Sequence, residues 1–233
     1  MKAVARIAAL LTASAALVAP TSTAADDPIP RILRNLTLSY QHNTLYPKDL
    51  DNIAFNGGGV GYHIDFGISD SRPIYIGTGI DLQVACRTKT YYDDSQYNLI
   101  NIKQHTVFVN FNIPAVISLR LPFFEHWTVT PFAGLNFRLQ AYGHNRFRLT
   151  GGPIDTDLDE VLDRLELGPA DGNLFSKHDY GEARLRRFQL GWLVGIRLQY
   201  RRVNMHITYG SDFVKLHKNL GASNISVTVG YSI

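Results

Sequence analysis

The stretch RFQLGWLVGIRLQYRRVNMHITYGSDF, from Arg187 to Phe213, predicts a β-hairpin. Apolar residues alternate with polar or small ones before Arg201-Arg202, and the alternation resumes in the mirrored phase after this pair. A two-residue turn at this pair places Arg197 opposite His206, so that both polar sets lie on one side of the ribbon. The hairpin therefore predicts part of a closed barrel whose apolar side faces lipid.

The first 25 residues have the pattern of a secretory signal peptide. Lys2 and Arg6 precede the apolar run Ile7–Ala19, which is too short to cross a bilayer as a helix. Small residues at Ser22–Ala25 suit cleavage, and residues 26–31 then form a short lead-in to a single domain over residues 32–233. The pattern predicts export, and together with a lipid-facing barrel it predicts a location in the outer membrane of a Gram-negative bacterium.

The charge balance and the cysteine count exclude several classes of protein. The chain has 23 basic and 20 acidic residues, so its charge gives no reason to expect nucleic acid as a partner. Its single cysteine, Cys86, rules out an intrachain disulfide and is expected to face lipid. No cysteine follows the signal run, which argues against a lipoprotein anchor.

The rest of the chain predicts an all-β fold, an eight-stranded antiparallel up-and-down transmembrane barrel. Pro114 and Pro131 lie inside predicted strands, so we expect a bulge or a local irregularity at each. Short and long connections alternate, as in barrels with short periplasmic turns and longer extracellular loops. The predicted strands are Ile32–His42, Gly58–Ile68, Ile74–Arg87, His105–Leu121, Trp127–Tyr142, Arg186–Tyr200, Val203–Phe213 and Asn224–Ile233.

Two further turns predict strand registers that keep polar residues on one side. The second hairpin would pair Asp81 with Gly61, and the third would pair Arg138 with Asn110. Alternation alone also fits a soluble secreted ligand-binding barrel, but the predicted strands contain no Lys and no Glu. The polar side is also rich in glycine, as a narrow lumen requires. These glycines are Gly59, Gly61, Gly67, Gly77, Gly79, Gly134, Gly191, Gly195, Gly210 and Gly230.

Short motifs in the strands resemble the outer-membrane-protein β-barrel family common in Bacteroidetes. The motifs are FNIPAVI at Phe111–Ile117, VTPFAG at Val129–Gly134, LGWLVG at Leu190–Gly195, and the closing pair Gly230-Tyr231. The resemblance implies an eight-stranded barrel in the outer membrane and no assigned activity. The chain ends in Tyr231-Ser232-Ile233 where many barrels end in Phe.

Charged residues on the polar side predict hydrogen-bonded Arg–Asp networks across the lumen, because buried charges need partners. The predicted network comprises Asp65, Asp81, Arg87, Arg120, Arg138, Arg187, Arg197, His206 and Asp212. A polar plug is favoured over a narrow ion channel or proton path, and eight strands leave no room for a general porin. A lipid A-modifying enzyme is disfavoured, because His63 and His206 lie on the lumen side without a Ser or Glu placed as a triad.

The long loop predicted at Gly143–Leu185 contains a helical pattern. Apolar residues recur at helical spacing from Leu158 to Leu165, with Asp155 or Thr156 as the cap and Gly168-Pro169 as the end. The predicted helix is acidic and amphipathic, and it would pack over the barrel mouth or dock a protein partner.

Two further sets are predicted to meet the membrane. Arginines near the long loop would contact lipopolysaccharide phosphates: Arg146, Arg148, Arg184 and Arg186. Aromatic residues would form a girdle at the membrane interfaces: Trp127, Tyr200, Tyr209 and Tyr231. The sequence thus predicts a monomeric, non-enzymatic barrel without a cofactor or metal. Its partners would be outer-membrane lipid, lipopolysaccharide and a protein at the long loop. Its role would be in envelope structure or in surface interaction.

Overall fold

A computed structural model describes most of the chain after the first 30 residues. The predicted signal peptide, nearly all of the lead-in and the predicted caps Asp155 and Thr156 lie outside the described residues. The described residues are 31–47, 51–68, 72–93, 100–152, 157–165, 167–214, 216–217 and 220–233.

The described residues form ten strands, two short α-helices, α1 (Leu158–Arg164) and α2 (Lys177–Tyr180), and a 3-10 helix at Gly181–Ala183. The strands are β1 (Ile32–Pro47), β2 (Ile53–Gly67), β3 (Ile74–Asp93), β4 (Ile100–Leu119), β5 (Leu121–Phe124), β6 (Trp127–Gly151), β7 (Asp171–Asn173), β8 (Phe188–Tyr200), β9 (Val203–Asp212) and β10 (Leu220–Ser232).

The eight long strands close into an antiparallel barrel. Each pairs with the next long strand along the chain, β4 pairs with β6, β6 pairs with β8, and β1 pairs with β10 to complete the ring. The short strands β5 and β7 add to β6. The predicted fold class is confirmed, and closure leaves the long strands no free edge.

Two of the three predicted hairpin registers are correct. Arg197 pairs with His206, and Asp81 pairs with Gly61. The register predicted for the third hairpin is wrong by two residues, because Arg138 pairs with Asn112. Its turn is Glu125-His126, which follows the short strand β5. A shift of two residues keeps every side chain on its face, so the predicted division into polar and apolar sides survives.

Both strand prolines lie at interruptions of a ladder, although neither causes a bulge. The β3–β4 ladder skips Pro114 and Ile113 and resumes in the same register. Pro131 lies opposite the break between β4 and β5. A register shift occurs instead between Val109 and Asn110, opposite Ala141 in β6. Proline removes one ladder donor, and the structure accommodates this loss by omitting local pairs.

Six strands, β1, β2, β3, β4, β6 and β10, extend by four residues or more beyond their predicted ends at the long-loop rim, and the extensions of β3, β4 and β6 contact helix α1. β3 continues to Asp93, β4 begins at Ile100, and β6 continues to Gly151. The predicted loop start at Gly143 is therefore wrong, because this residue lies within β6. The outward positions of these extensions are polar, so they lack the apolar alternation from which the strand ends were predicted.

Helix α1 packs on the inner face of these extensions. Val161 and Leu162 are buried against Ile102 and Phe147. Asp157 is the N-cap and accepts a hydrogen bond from the Asp159 backbone N–H. The predicted apolar face is correct, whereas the helix ends at Arg164, before the predicted end at Gly168. Among the described helices, none is long and apolar enough to cross a membrane.

Candidate functional site: the plugged polar lumen

The barrel is apolar outside and polar inside. Outward residues such as Leu38 and Ile117 are 65% and 63% exposed, whereas the inward Gln189 is 0% exposed. Soluble proteins bury apolar side chains and expose polar ones, so this arrangement is inverted relative to a water-soluble barrel. The inverted surface is what a lipid-facing exterior requires.

The deepest ion pair in the lumen joins Asp65 of β2 to Arg197 of β8. The Arg197 Nη1 donates to Asp65 Oδ2 over 2.6 Å, and both residues are buried. Asp65 pairs across the ladder with Gly77, where a Cβ would collide with the carboxylate. The glycine thus provides the space in which the carboxylate reaches across the lumen.

A histidine pair lies next to this ion pair. His63 Nε2 lies 2.9 Å from Asp81 Oδ1, and Gly61, opposite Asp81, leaves room for this carboxylate. The ring of His206 lies 6.4 Å from that of His63. Neither His63 nor His206 bonds a Ser, Thr or Cys side chain among the described residues.

A second ion pair lies closer to the long-loop rim. Arg138 Nη1 lies 3.2 Å from Asp212 Oδ2, while its Nε donates to Asn112 Oδ1 over 3.0 Å. Gln189 links the same guanidinium to Gln140. The cluster connects β4, β6, β8 and β9, so it ties four consecutive strands of the wall together on their inner face.

A third polar layer lies near the short turns. Asn204 Nδ2 donates to Asn35 Oδ1 over 3.0 Å, and Ser232 Oγ donates to the same oxygen over 2.7 Å. Gln199 reaches Ser232 from β8. Between these layers, a central cavity of about 80 Å³ is lined by His63, Asp65, Asp81, Arg138, Arg197, His206 and Asp212 among others. A water molecule occupies about 30 Å³ of liquid, so the cavity suits a few waters rather than a solute.

An apolar plug, which the sequence analysis missed, closes the lumen at the long-loop rim. The plug comprises the buried residues Leu45, Phe55, Ala85, Phe108, Phe175, Leu216 and Ala222. Phe175 comes from the long loop, and its ring centroid lies 6.5 Å from that of Phe108. A Cβ at Gly143 would lie 2.5 Å from the Phe175 ring, so this glycine admits the ring. The available signal was the apolar residues Leu45, Phe55 and Phe108 on the polar side of their strands.

Three arginines of the predicted network lie away from the central cavity. Arg87 is half-buried beside the plug, with its guanidinium 6.0 Å from the Phe55 ring centroid. Arg120 lies at the break between β4 and β5. Arg187 is exposed just before β8, where it bonds the Ala141 carbonyl and covers Phe175 of the plug at the mouth of the barrel.

The residues predicted to meet the membrane point outward. Trp127, Tyr200, Tyr209 and Tyr231 are exposed, and the Trp127 and Tyr200 rings lie 4.8 Å apart near the short turns. Arg146 and Arg148 lie on the outer face of β6. Arg184 and Arg186 lie elsewhere, in the segment whose Arg186 backbone N–H donates to the Leu216 carbonyl.

No group of three His, Cys, Asp or Glu side chains in the described ranges converges as a metal site.

Comparisons with solved structures return outer-membrane β-barrels. Ail of Yersinia pestis, in complex with the heparin analogue sucrose octasulfate, is 11% identical, with a TM-score of 0.42 over 88% of this chain and 100% of Ail. Neisserial surface protein A is 10% identical, with a TM-score of 0.37 over 86% of this chain and 97% of that one. No protein-family model and no curated protein matches the chain. The resemblance to the Bacteroidetes family therefore stays a prediction.

Proposed function

We propose that the chain is a non-enzymatic outer-membrane β-barrel protein of a Gram-negative envelope, exported by its first 25 residues. The observation that carries this proposal is the inverted surface, with an apolar outer belt around a polar lumen. The short turns, the start of β1 and the end of β10 then lie on the periplasmic rim, and the long loops lie outside the cell. Trp127, Tyr200 and Tyr231 would form the periplasmic girdle, and Tyr209 would lie toward the outer interface.

The lumen supports a structural role over transport. A solute would have to break the Asp65–Arg197 and Arg138–Asp212 ion pairs and then pass the apolar plug. Apolar constrictions exclude ions because water withdraws from them. The lumen network thus holds the wall together, and the barrel serves as an anchor.

The long-loop rim is the part that would meet other molecules. Helix α1 and the segment 167–187 cover the mouth, and they offer the surface for a protein partner in the envelope or outside the cell. A lipid A-modifying activity is disfavoured, because His63 and His206 face the lumen, away from lipid. We expect the barrel to act as a monomer, without a cofactor.

A matched pair of substitutions tests the membrane location. Leu38 and Tyr92 are 65% and 70% exposed, so in a water-soluble barrel Leu38→Arg and Tyr92→Arg would both be nearly neutral. In a bilayer, Leu38→Arg lies in the belt and should lower the free energy of unfolding by about 2–4 kcal/mol. Tyr92→Arg, at the far end of β3, should lower it by less than about 1 kcal/mol.

The measurement is urea unfolding of the barrel refolded into phospholipid vesicles. Equal stability of both variants, together with a wild-type protein that stays folded and dispersed without detergent, would refute the membrane location. Planar-bilayer recordings test the closed lumen separately, since large and stable conductance steps would favour the ion-channel alternative.

A further inference from the structure

A strip of basic side chains lies on the outer face of β4 and β6, just beyond the apolar belt. The strip comprises Lys103, His105, His144, Arg146 and Arg148, and it is referred to here as the basic strip. Lys103, His105, Arg146 and Arg148 are exposed, and the strip lines a shallow concave surface together with Thr88, Val107 and Tyr142.

The strand register places two cations of this strip directly opposite each other and puts an arginine opposite a histidine beside them. Lys103 pairs with Arg148, and His105 pairs with Arg146. Like charges directly opposite on one face of an antiparallel pair destabilise the sheet. The Lys103–Arg148 pair therefore does not stabilise the sheet.

One carboxylate partly neutralises the strip. Asp171 of β7 lies 2.7 Å from His144 Nε2 and 3.5 Å from Arg146 Nε. Lys103 and Arg148 form no ion pair with any carboxylate in the described part of the chain. The strip thus keeps an excess of positive charge at the Lys103–Arg148 end, away from Asp171.

The height of the strip on the barrel points to a lipid headgroup. Tyr142 ends the apolar face of β6, and its ring stacks on His144 with a centroid separation of 5.7 Å. Same-face residues of a strand follow each other at about 7 Å, so Arg146 lies roughly 13 Å along the strand beyond Tyr142. Because barrel strands tilt by about 35–45°, this distance corresponds to a height of about 10 Å, near the outer edge of the headgroup layer, which is roughly 5–8 Å thick on each side of the hydrocarbon core.

We propose that the basic strip binds the phosphate groups of a phosphorylated glycolipid in the outer leaflet. The Arg146 and Arg148 guanidinium groups suit phosphate because they can form bidentate hydrogen bonds with it. Val107 and Tyr142 at the lower edge continue the apolar belt, so acyl chains can lie against them while the phosphate meets the cations. An amphiphilic lipid matches both the cations of the strip and the apolar residues below them, whereas a soluble polyanion would match only the cations. The inference rests on the proposed membrane location.

The test compares the triple variant Lys103→Gln, Arg146→Gln, Arg148→Gln with a control of equal charge loss. The control is Arg72→Gln, Arg201→Gln, Arg202→Gln, whose three side chains are exposed at the opposite rim, near the short turns. Each barrel is refolded in neutral detergent micelles and titrated with bisphosphorylated lipid A, with lipid A stripped of its phosphates, and with heparin fragments. Heat-modified migration in gel electrophoresis confirms folding, so loss of binding is distinguished from failure of the barrel itself.

The strip variant should bind bisphosphorylated lipid A about 100-fold more weakly than wild type, because each basic residue near an anionic surface contributes roughly fivefold. The control should remain within about twofold of wild type, and removal of the lipid phosphates should abolish the difference. Equal weakening of both variants would overturn the proposal by revealing diffuse charge attraction. Heparin binding as tight and as dependent on the strip as lipid A binding would overturn the lipid assignment in favour of a soluble polyanion.

Discussion

Two regions of the same strands follow opposite rules. In the belt region, which extends from the short turns to the level of Tyr142, side chains are apolar outside and polar inside. In the mouth region, formed by 88–93, 100–105, 143–151 and 157–187, the outer face is polar and basic, while Ile102, Phe147 and Phe175 are buried inside. Side-chain direction alternates regularly along β4 through both regions, so only the chemistry of each face changes.

The difference shows that the surrounding solvent decides which side chains a strand turns outward. Against hydrocarbon, the outer face must be apolar, and the polar residues have to satisfy one another within the lumen. Beyond the hydrocarbon, the outer face meets water, and a conventional apolar core forms inside with α1 and Phe175 as its cover. The barrel thus contains a membrane-type region and a soluble-type region, and a separate substitution can test each.

The largest expected effect is in the belt region, at the Asp65–Arg197 ion pair. Arg197→Ala leaves the buried Asp65 carboxylate without its partner, which should lower the free energy of unfolding by about 3–5 kcal/mol. Urea unfolding in vesicles measures the change. Arg34→Ala, which removes an exposed arginine of β1, is the matched control and should cost less than about 1 kcal/mol. Similar losses for the two variants would show that the lumen pair is not critical.

The next effect belongs to the mouth region. Phe175→Ala empties the centre of the plug and should destabilise the mouth by about 3 kcal/mol, as truncation of buried aromatic residues does. Hydrogen exchange at the Leu185 amide, which donates to the Leu174 carbonyl, reports this local opening. The belt amides should keep their protection. Faster exchange throughout the barrel would mean that the two regions unfold as one unit.

A smaller effect is expected at helix α1. Asp157→Ala removes the side-chain oxygen that caps the helix, which should cost about 1 kcal/mol of local stability. Asp163→Ala removes an exposed acid from the same helix without touching the cap, and it should leave the mouth almost unchanged. The rate of protease cleavage within residues 157–165 is measured for the two variants. Equal rates would show that the Asp157 cap does not stabilise the helix.

The smallest effect is a pH dependence of the segment around α2. The Asn173 backbone N–H donates to Asp179, and this bond, followed by the contact with His178, holds the pKa of the carboxyl below its usual 3.8. A lowered pKa stabilises the folded segment above the ordinary value, and this contribution disappears as pH falls through the folded value. The Asn173 amide resonance should therefore shift only in strongly acidic solution. Asp179→Asn should abolish this shift, and its persistence would assign the titration to another group.

Much of the belt region was predictable because lipid outside and a narrow lumen inside impose a strict two-residue alternation. The hairpin of Arg187–Phe213 has its predicted pairing, and the outward direction of Trp127 and Tyr231 follows from parity alone. The inward direction of Asp65 and Arg197 follows in the same way, although parity does not say which carboxylate each arginine meets. Those partners depend on the stagger of strands around the ring, which one hairpin at a time does not reveal.

The mouth region escaped prediction for the opposite reason. Outward residues such as Lys103 and Arg146 interrupt the apolar alternation. The strand ends were therefore predicted too early, at the level where the outer face passes from lipid to water. The position of Phe175 could not be predicted, because the residues next to an aromatic side chain in a loop do not indicate whether it packs inside the barrel. The basic strip likewise needs two strands in register, and Lys103 and Arg148 lie far apart in the chain.

By itself, the sequence determined the number of long strands, their pairing order and the two faces of the wall, because these follow from local periodicity and turn length. Only the tertiary structure decided how the lumen charges pair, where the plug lies and which cations stand side by side. Those contacts join residues from distant strands, and their geometry exists only once the ring has closed.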